Sequence, residues 1–95
     1  RALKHFPIET TVQFSDSEAE DGPTVLEVVA QDRPGLLLQV AKALLYCKIH
    51  LANAKVGTFG ARAEDIFYVT DRDGCPVKDI DQRELIADQI RSALP

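Results

Sequence analysis

The sequence predicts an α+β domain in which two helices pack on one face of a four-stranded antiparallel sheet. The chain has 95 residues, and a chain of this length builds a single hydrophobic core. Four short segments are rich in β-branched and aromatic residues, and two others carry apolar residues at helical spacing. In chain order these segments predict β-β-α-β-β-α. Because each helix has one apolar stripe, both helices are expected to cover the same face of the sheet.

The first two predicted strands are joined by an acidic loop. Residues 8–14 are β-prone and predict a short strand. Residues 15–23 are acidic and rich in turn-forming residues, so we expect a solvated connection. Residues 24–30 are β-branched and nearly apolar on both faces apart from Glu27, which is typical of a central strand.

The segment Asp32-Arg33-Pro34-Gly35 is predicted to end this strand and to open the first helix. Pro34 is tolerated there because the N–H groups of a helix's first turn have no intrahelical acceptor. The helix is expected to end over residues 46–48. Its apolar stripe, spaced at i, i+3, i+4, i+7 and i+8, is Leu37, Val40, Ala41, Leu44 and Leu45.

The second half of the chain predicts a hairpin followed by a helix. Residues 49–59 and 63–70 read as strands, and the short link between them makes them a hairpin. Residues 71–74 predict a turn in which Asp side chains cap the backbone. Asp81 and Glu84 have the spacing of a capping box, which predicts a helix from there to the chain end. Its apolar residues are Leu85, Ile86, Ile90, Ala93 and Leu94.

Composition excludes several classes of partner and location. The net charge of −4, from 11 basic and 15 acidic side chains, argues against nucleic acid or an anionic membrane as partner. No apolar run is long enough for a membrane span, and no basic stretch followed by an apolar one opens the sequence, so we expect neither a span nor a signal peptide. Two cysteines read as free thiols of a reducing compartment, so we expect a cytoplasmic protein. Because the first residue is Arg1, we expect a piece of a longer protein, with residues 1–7 as a linker and residues 8–95 as the domain.

No pattern of a catalytic or metal site is present, so we expect no catalytic residue and no metal ligand. The chain lacks a nucleophile elbow, a phosphate-binding loop and a dinucleotide fingerprint. His5 and His50 do not have metal-ligand spacing. A calcium loop beginning at Asp71 would need Gly and Glu where Pro76 and Gln82 stand. Neither Cys47 nor Cys75 has a base placed beside it by the sequence, so both are expected to be structural.

The segment Gln31–Leu37, QDRPGLL, is the most informative part of the chain. It joins the carboxyl end of a strand to a helix's first turn, where the N–H groups of Gly35, Leu36 and Leu37 lack intrahelical acceptors. These donors and the positive end of the helix dipole favour a small carboxylate, and Asp32 could hold an ammonium group. Together they fit a free amino acid. The alternative is that Asp32 only caps the helix and Pro-Gly only shapes the turn.

The motif Asp-Arg-Pro-Gly-Leu-Leu after a strand resembles the ACT domain family, and the resemblance covers about residues 24–94. Further segments make the resemblance more specific: they resemble the C-terminal ACT domain of a bacterial family of bifunctional nucleotidyltransferases. Enzymes of that family attach uridylyl groups to PII signal proteins and remove them. Those segments are residues 1–7, Thr11-Val12-Gln13-Phe14, Asn53-Ala54-Lys55-Val56, residues 64–71 and Asp73-Gly74.

The resemblance implies a ferredoxin-like fold and a regulatory, non-catalytic domain that senses an amino acid, with glutamine as the favoured ligand. It implies ligand-binding residues on the loop and, from a partner domain, on the following strand. The loop residues are Asp32, Arg33, Pro34, Gly35, Leu36 and Leu37, and the strand residues are His50 and Asn53. The family usually has a last strand after its second helix, and we expect no such strand within these residues. We therefore expect residues 8–14 to fill that position by antiparallel pairing with residues 24–30.

The resemblance also implies partners. We expect a neighbouring ACT domain or a second copy of the chain, and a PII signal protein acting through the larger enzyme. No cofactor is expected in this domain, whereas the larger enzyme's nucleotidyltransferase implies Mg²⁺. Two alternatives remain: a dimerisation module without a ligand, and an ACT domain from another enzyme of amino-acid metabolism.

Overall fold

The structure is a computed structural model that describes residues 7–94. The proposed linker at residues 1–7 lies outside the described residues except for the exposed Pro7. Within residues 7–94, no helix is long and apolar enough to cross a membrane. The elements are β1 (Thr11–Ser15), β2 (Thr24–Gln31), α1 (Leu36–Tyr46), β3 (His50–Lys55), β4 (Thr58–Phe59), β5 (Arg62–Thr70) and α2 (Ile80–Ala93).

The strands form one antiparallel sheet in the order β1-β2-β5-β3, and the two-residue β4 also pairs with β5. The predicted α+β, ferredoxin-like class is therefore confirmed, with five strands rather than four. β1 pairs with β2 from Thr11 opposite Val29 to Ser15 opposite Val25. The expectation that the N-terminal segment fills the edge beside β2 is confirmed, although the strand begins at Thr11 rather than at Ile8.

One face of the sheet carries the hydrophobic core. Residues alternate between faces along a strand, and every second residue of β2 and β5 is buried. α1 packs against β3 and α2 packs against β1, and the two helices contact each other. The largest fully buried side chains are Phe67, Leu26, Leu44, Ile86 and Ile90.

The buried stripe of α1 differs from the predicted one. Val40 and Leu44 are buried as expected, whereas Leu37 and Leu45 are 45% and 76% exposed. Ala41 is also exposed. The buried positions are instead Leu36, Val40, Ala43 and Leu44. The helix has apolar residues on two neighbouring faces, and periodicity does not show which of them meets the sheet.

The predicted strand 49–59 is interrupted. β3 ends at Lys55, a bulge lies between Leu51 and Asn53, and β4 begins at Thr58. The break is held by Gly57, whose carbonyl accepts from the Glu64 N–H at 2.9 Å. The Gly57 N–H donates to the Asp65 carboxylate at 3.2 Å. The side chain of Asp65 thus replaces a ladder hydrogen bond at this point.

The start of α2 also differs from the prediction. The N-cap of α2 is Asp79, whose carboxylate accepts a hydrogen bond from the Gln82 N–H at 3.0 Å. The prediction that Asp81 begins the helix in a capping box is therefore wrong. Leu85, predicted in the apolar stripe, is 65% exposed, whereas Ile86 and Ile90 are buried. In the preceding turn, Asp71 accepts from the N–H groups of residues 73 and 75, as expected.

Candidate ligand site at the start of the first helix

The loop between β2 and α1 is fixed by backbone hydrogen bonds. The Asp32 N–H donates to the Ala61 carbonyl at 2.8 Å, which ties the loop to the turn before β5. The Leu36 N–H donates to the Arg33 carbonyl at 3.3 Å and closes a tight turn. Gly35 has φ 80° and ψ 5°, a left-handed conformation that glycine adopts without a Cβ penalty. α1 therefore begins at Leu36, two residues after Pro34.

Several N–H groups at the start of α1 remain available to a ligand. Of the three donors predicted, Leu36 is used within the turn, whereas Gly35 and Leu37 find no acceptor within residues 7–94. The Leu38 N–H is a further free donor that the sequence did not single out. These groups lie at the positive end of the helix dipole, which favours a bound carboxylate.

Asp32 does not cap the helix. The N-cap position is Gly35, and it has no side-chain cap hydrogen bond. The exposed Asp32 carboxylate accepts no hydrogen bond from any part of the chain that the structure describes. The capping alternative for Asp32 is therefore wrong, and its charge is available for another partner.

A cavity of about 380 Å³ lies on one side of this loop. Asp32, Arg33 and Leu36 contribute to its wall, whereas Pro34, Gly35 and Leu37 do not. The sequence did not predict the rest of the wall, because it comes from segments distant along the chain. Those residues are Pro7 and Ile8 before β1, Ala30 and Gln31 at the end of β2, and Leu94 after α2.

His50 and Asn53 do not join this loop within one chain. His50 pairs with Thr70 at one end of β5, whereas the loop follows Gln31, which pairs with Arg62 at the other end. At about 3.4 Å per residue, the two ends of β5 are about 27 Å apart. His50 lies instead in a second cavity of about 300 Å³ with Lys48 and Arg72 in its wall. A site that combines the loop with these side chains needs a second domain.

Strand β3 and helix α1 expose apolar side chains at one edge of the sheet. β3 lies at the edge of the sheet, and all six of its residues are exposed. The exposed Leu37 and Leu45 of α1 lie on the helix that packs next to this edge, and Leu51 of β3 is 38% exposed. Unpaired edge strands readily pair with another chain. We call Leu37, Leu45 and β3 the open edge.

Asp65 is a buried carboxylate on the helix-covered face of β5, only 3% exposed. Burial raises its pKa above the ordinary value of 3.8. The Gly57 N–H lowers the pKa and the charge of Asp32 raises it further, and the net direction is upward. The sequence did not single out this residue, although a lone acidic residue in an otherwise apolar strand face is a signal that could have found it.

The remaining candidate groups are dispersed. Within residues 7–94, no three His, Cys, Asp or Glu side chains come together in a way that could hold a metal ion. Cys47 is half-buried, and burial raises the pKa of its thiol. Cys75 is exposed. A raised thiol pKa lowers the thiolate fraction, so Cys47 is a poor nucleophile.

Comparison with known proteins supports one family. No protein-family model matches the chain. The bifunctional uridylyltransferase/uridylyl-removing enzyme of Methylococcus capsulatus is 46% identical over 77 residues, which cover 81% of this chain and 9% of that enzyme. Enzymes of the same name from Pseudomonas entomophila and Pseudomonas fluorescens are 43% and 44% identical over 79 residues, 83% of this chain and 9% of theirs.

A solved structure shares the fold. It is the crystal structure of an unknown protein from Galdieria sulphuraria, with a TM-score of 0.61 and 25% identity, and the match covers 75% of this chain and 37% of that one. The homology to the uridylyltransferase/uridylyl-removing enzymes rests on the sequence relatives, and the sheet topology is consistent with it. The chain spans 9% of the length of the curated relatives it matches. It is thus a homologue of a short C-terminal segment of the bifunctional uridylyltransferase/uridylyl-removing enzymes.

Proposed function

We propose that this chain is a regulatory ACT domain that binds a free amino acid, glutamine first, and controls a bifunctional uridylyltransferase/uridylyl-removing enzyme. One observation carries the proposal. The loop between β2 and α1 presents a free carboxylate, Asp32, next to free N–H donors at the start of a helix. The fold uses neither group, and together they match the two charged ends of an amino acid.

The two halves of this loop have complementary chemistry. The N–H groups of Gly35 and Leu37 point out of the helix start and bind a carboxylate, aided by the helix dipole. Asp32 binds the ammonium group through a charge-assisted hydrogen bond. Arg33, exposed beside Asp32, supplies a second partner for the carboxylate. At the start of α2, by contrast, the N-cap carboxylate is used within the fold, because Asp79 accepts from the Gln82 N–H.

A second domain completes the site. The open edge offers unpaired backbone groups and exposed leucines, which a neighbouring ACT domain or a second copy of the chain would cover. Antiparallel pairing of two β3 strands would bring His50 and Asn53 of the partner towards the loop. The same edge also fits the second candidate function, a dimerisation module that binds no ligand.

Control of the larger enzyme would follow from differential affinity. A ligand shifts an equilibrium only if it binds one arrangement of the domains more tightly than the other. Glutamine at the loop would favour one pairing geometry and so change the balance between uridylyl transfer to PII signal proteins and uridylyl removal. The reaction chemistry, including any Mg²⁺, would belong to the rest of the enzyme.

Calorimetric titration with L-glutamine tests the proposal. Asp32→Asn removes a charge without removing a hydrogen bond of the fold, so it should lower the affinity at least about tenfold, as loss of a charge-assisted contact does. Asp73→Asn makes the same charge change in an exposed turn and serves as the matched control. Equal affinities of the two variants would contradict the proposal. A dimer that releases no heat with L-glutamine would favour the dimerisation module.

A further inference from the structure

The second cavity, of about 300 Å³, lies at the end of the sheet opposite the loop between β2 and α1. Three of its wall residues have side chains that donate hydrogen bonds, and they come from separate segments. Lys48 follows α1, His50 begins β3, and Arg72 lies in the turn after β5. The rest of the wall is apolar and consists of Leu45 and Ile49. We call these five residues the basic pocket.

The two permanent positive charges of the basic pocket are unpaired. Neither Lys48 nor Arg72 forms an ion pair with any residue from 7 to 94, whereas Arg83 and Arg91 each have an acidic partner. The Asp71 carboxylate, next to Arg72 in sequence, accepts from the N–H groups of residues 73 and 75 within its own turn. The chain as a whole has a net charge of −4. Two unpaired cations in the wall of one cavity therefore favour an anion at this place.

Lys48 occupies its position with a strained backbone. Its φ is 60°, in the left-handed region. It follows the C-cap residue Cys47 in a Schellman motif, whose two backbone hydrogen bonds are 2.9 and 3.0 Å long. Glycine is preferred at this position because a Cβ makes the left-handed conformation costly. Strain of this kind is concentrated at binding sites, and here it places a lysine in the wall of the basic pocket.

We propose that the basic pocket of a single chain binds the phosphate group of a small phosphate monoester. Such a group has a charge of about −1.5 to −2 near neutral pH and three acceptor oxygens. Lys48 and Arg72 neutralise this charge, and the guanidinium offers paired N–H donors. The His50 imidazole donates a further hydrogen bond. A carboxylate, with a single charge, would leave one of the two cations unpaired.

The apolar part of the wall receives the carbon part of the ester. The Leu45 side chain is 76% exposed, and burial of its surface against the ligand stabilises the complex. A cavity of about 300 Å³ is at the lower end of the range for small-molecule sites. This inference goes beyond the proposed function and does not rest on it. The proposed two-domain site also uses His50, so Lys48 and Arg72, which that site does not use, are the residues to replace.

Calorimetric titration with phenyl phosphate tests the basic pocket, at low ionic strength because salt screens exposed charges. Phenyl sulfate is the matched ligand, since it has the same shape and one charge fewer. We expect the unmodified chain to bind phenyl phosphate at least about tenfold more tightly than phenyl sulfate. Lys48→Gln and Arg72→Gln should each lower the affinity for phenyl phosphate at least about tenfold. Lys42→Gln removes the same charge at an exposed residue of α1 outside the pocket and should leave the affinity unchanged.

Inorganic phosphate distinguishes the ester from the free ion. It lacks the group that contacts Leu45 and Ile49, so it should bind at least about threefold more weakly than phenyl phosphate. Equal affinities would overturn the assignment of an ester. The inference as a whole fails if the unmodified chain does not bind phenyl phosphate, if it binds both phenyl esters equally, or if Lys48→Gln and Lys42→Gln have equal affinities. None of these results bears on the titration with L-glutamine.

Lys48→Gly separates a ligand-binding lysine from a structural one. Glycine relieves the backbone strain, so the variant should unfold at a Tm about 4 °C higher and still bind phenyl phosphate at least about tenfold more weakly. A lysine that only stabilised the negative end of the α1 dipole would give the opposite pattern. A lower Tm together with unchanged affinity for phenyl phosphate would therefore overturn the role of Lys48.

Discussion

The hydroxyl of Thr24 joins the beginning of β2 to the segment before α2, and replacing it should destabilise the fold. Thr24 is 1% exposed. Its hydroxyl accepts from the Val77 N–H at 2.8 Å and donates to the Val77 carbonyl at 3.2 Å. In Thr24→Val the carbonyl keeps a partner, because it also accepts from the Arg83 side chain at 2.7 Å. The buried Val77 N–H is left without one.

A buried polar group without a partner costs about 1–3 kcal/mol, so we expect Thr24→Val to lower the free energy of unfolding by about 2 kcal/mol. For a domain of this length, that corresponds to a fall in Tm of about 8–16 °C. Urea and thermal denaturation followed by circular dichroism measure it. Thr24→Ser keeps both hydrogen bonds and should lose only about 1 kcal/mol, from one methyl group. A loss below about 0.5 kcal/mol in Thr24→Val would refute this reasoning.

Three further changes probe the site, the buried carboxylate and the open edge. Gly35→Ala and Gly74→Ala place a Cβ at the same φ of 80° with no atom within 4 Å, so each should cost about 1 kcal/mol. Calorimetry should show a lower affinity for L-glutamine only in Gly35→Ala. Equal affinities of the two variants would show that Gly35 is not part of the ligand site. Asp65→Asn keeps an acceptor for its N–H partner and removes a buried charge. Because the folded-state pKa is raised, ionisation destabilises the native protein as pH rises above 3.8. Urea denaturation should therefore give Asp65→Asn a higher free energy of unfolding than the unmodified chain near neutral pH, and an equal one near pH 3.8. A lower free energy of unfolding of the variant near neutral pH would contradict this. Leu45→Glu should abolish self-association in sedimentation equilibrium, whereas Ile80→Glu, equally exposed on α2, should not. If both variants self-associate equally, the open edge is not the surface through which the chain self-associates.

The fold was largely predictable because its strongest signals are local. β2 and β5 are short β-branched runs, and their core-facing residues alternate as a pleated strand requires. The position of β1 was predicted because β2 would otherwise have no neighbouring strand at its edge. The composition of β1 alone does not indicate where it pairs. In contrast, the buried face of α1 could not be read from spacing, since two adjacent faces of that helix are apolar.

The candidate site was only partly predictable. The loop residues Asp32 and Gly35 carry their chemistry in the sequence, through a charge and a required left-handed backbone. Ile8 and Leu94 could not be found in this way, because each is an ordinary apolar residue whose place in the wall of the cavity beside the loop depends on tertiary structure. The same holds for Thr24 and Val77, which are 53 positions apart.

The placement of β1 has a mechanical consequence. β1 is an edge strand held to the sheet by β2 alone, and its first pair, Thr11 with Val29, is the one nearest the loop. A pull on the chain before Thr11, directed away from β2, would load these hydrogen bonds one after another, starting with the pair Thr11–Val29. The first bonds to break would be those beside Asp32. Tension from the preceding chain would thus enter the fold at the candidate ligand site before it reached the core.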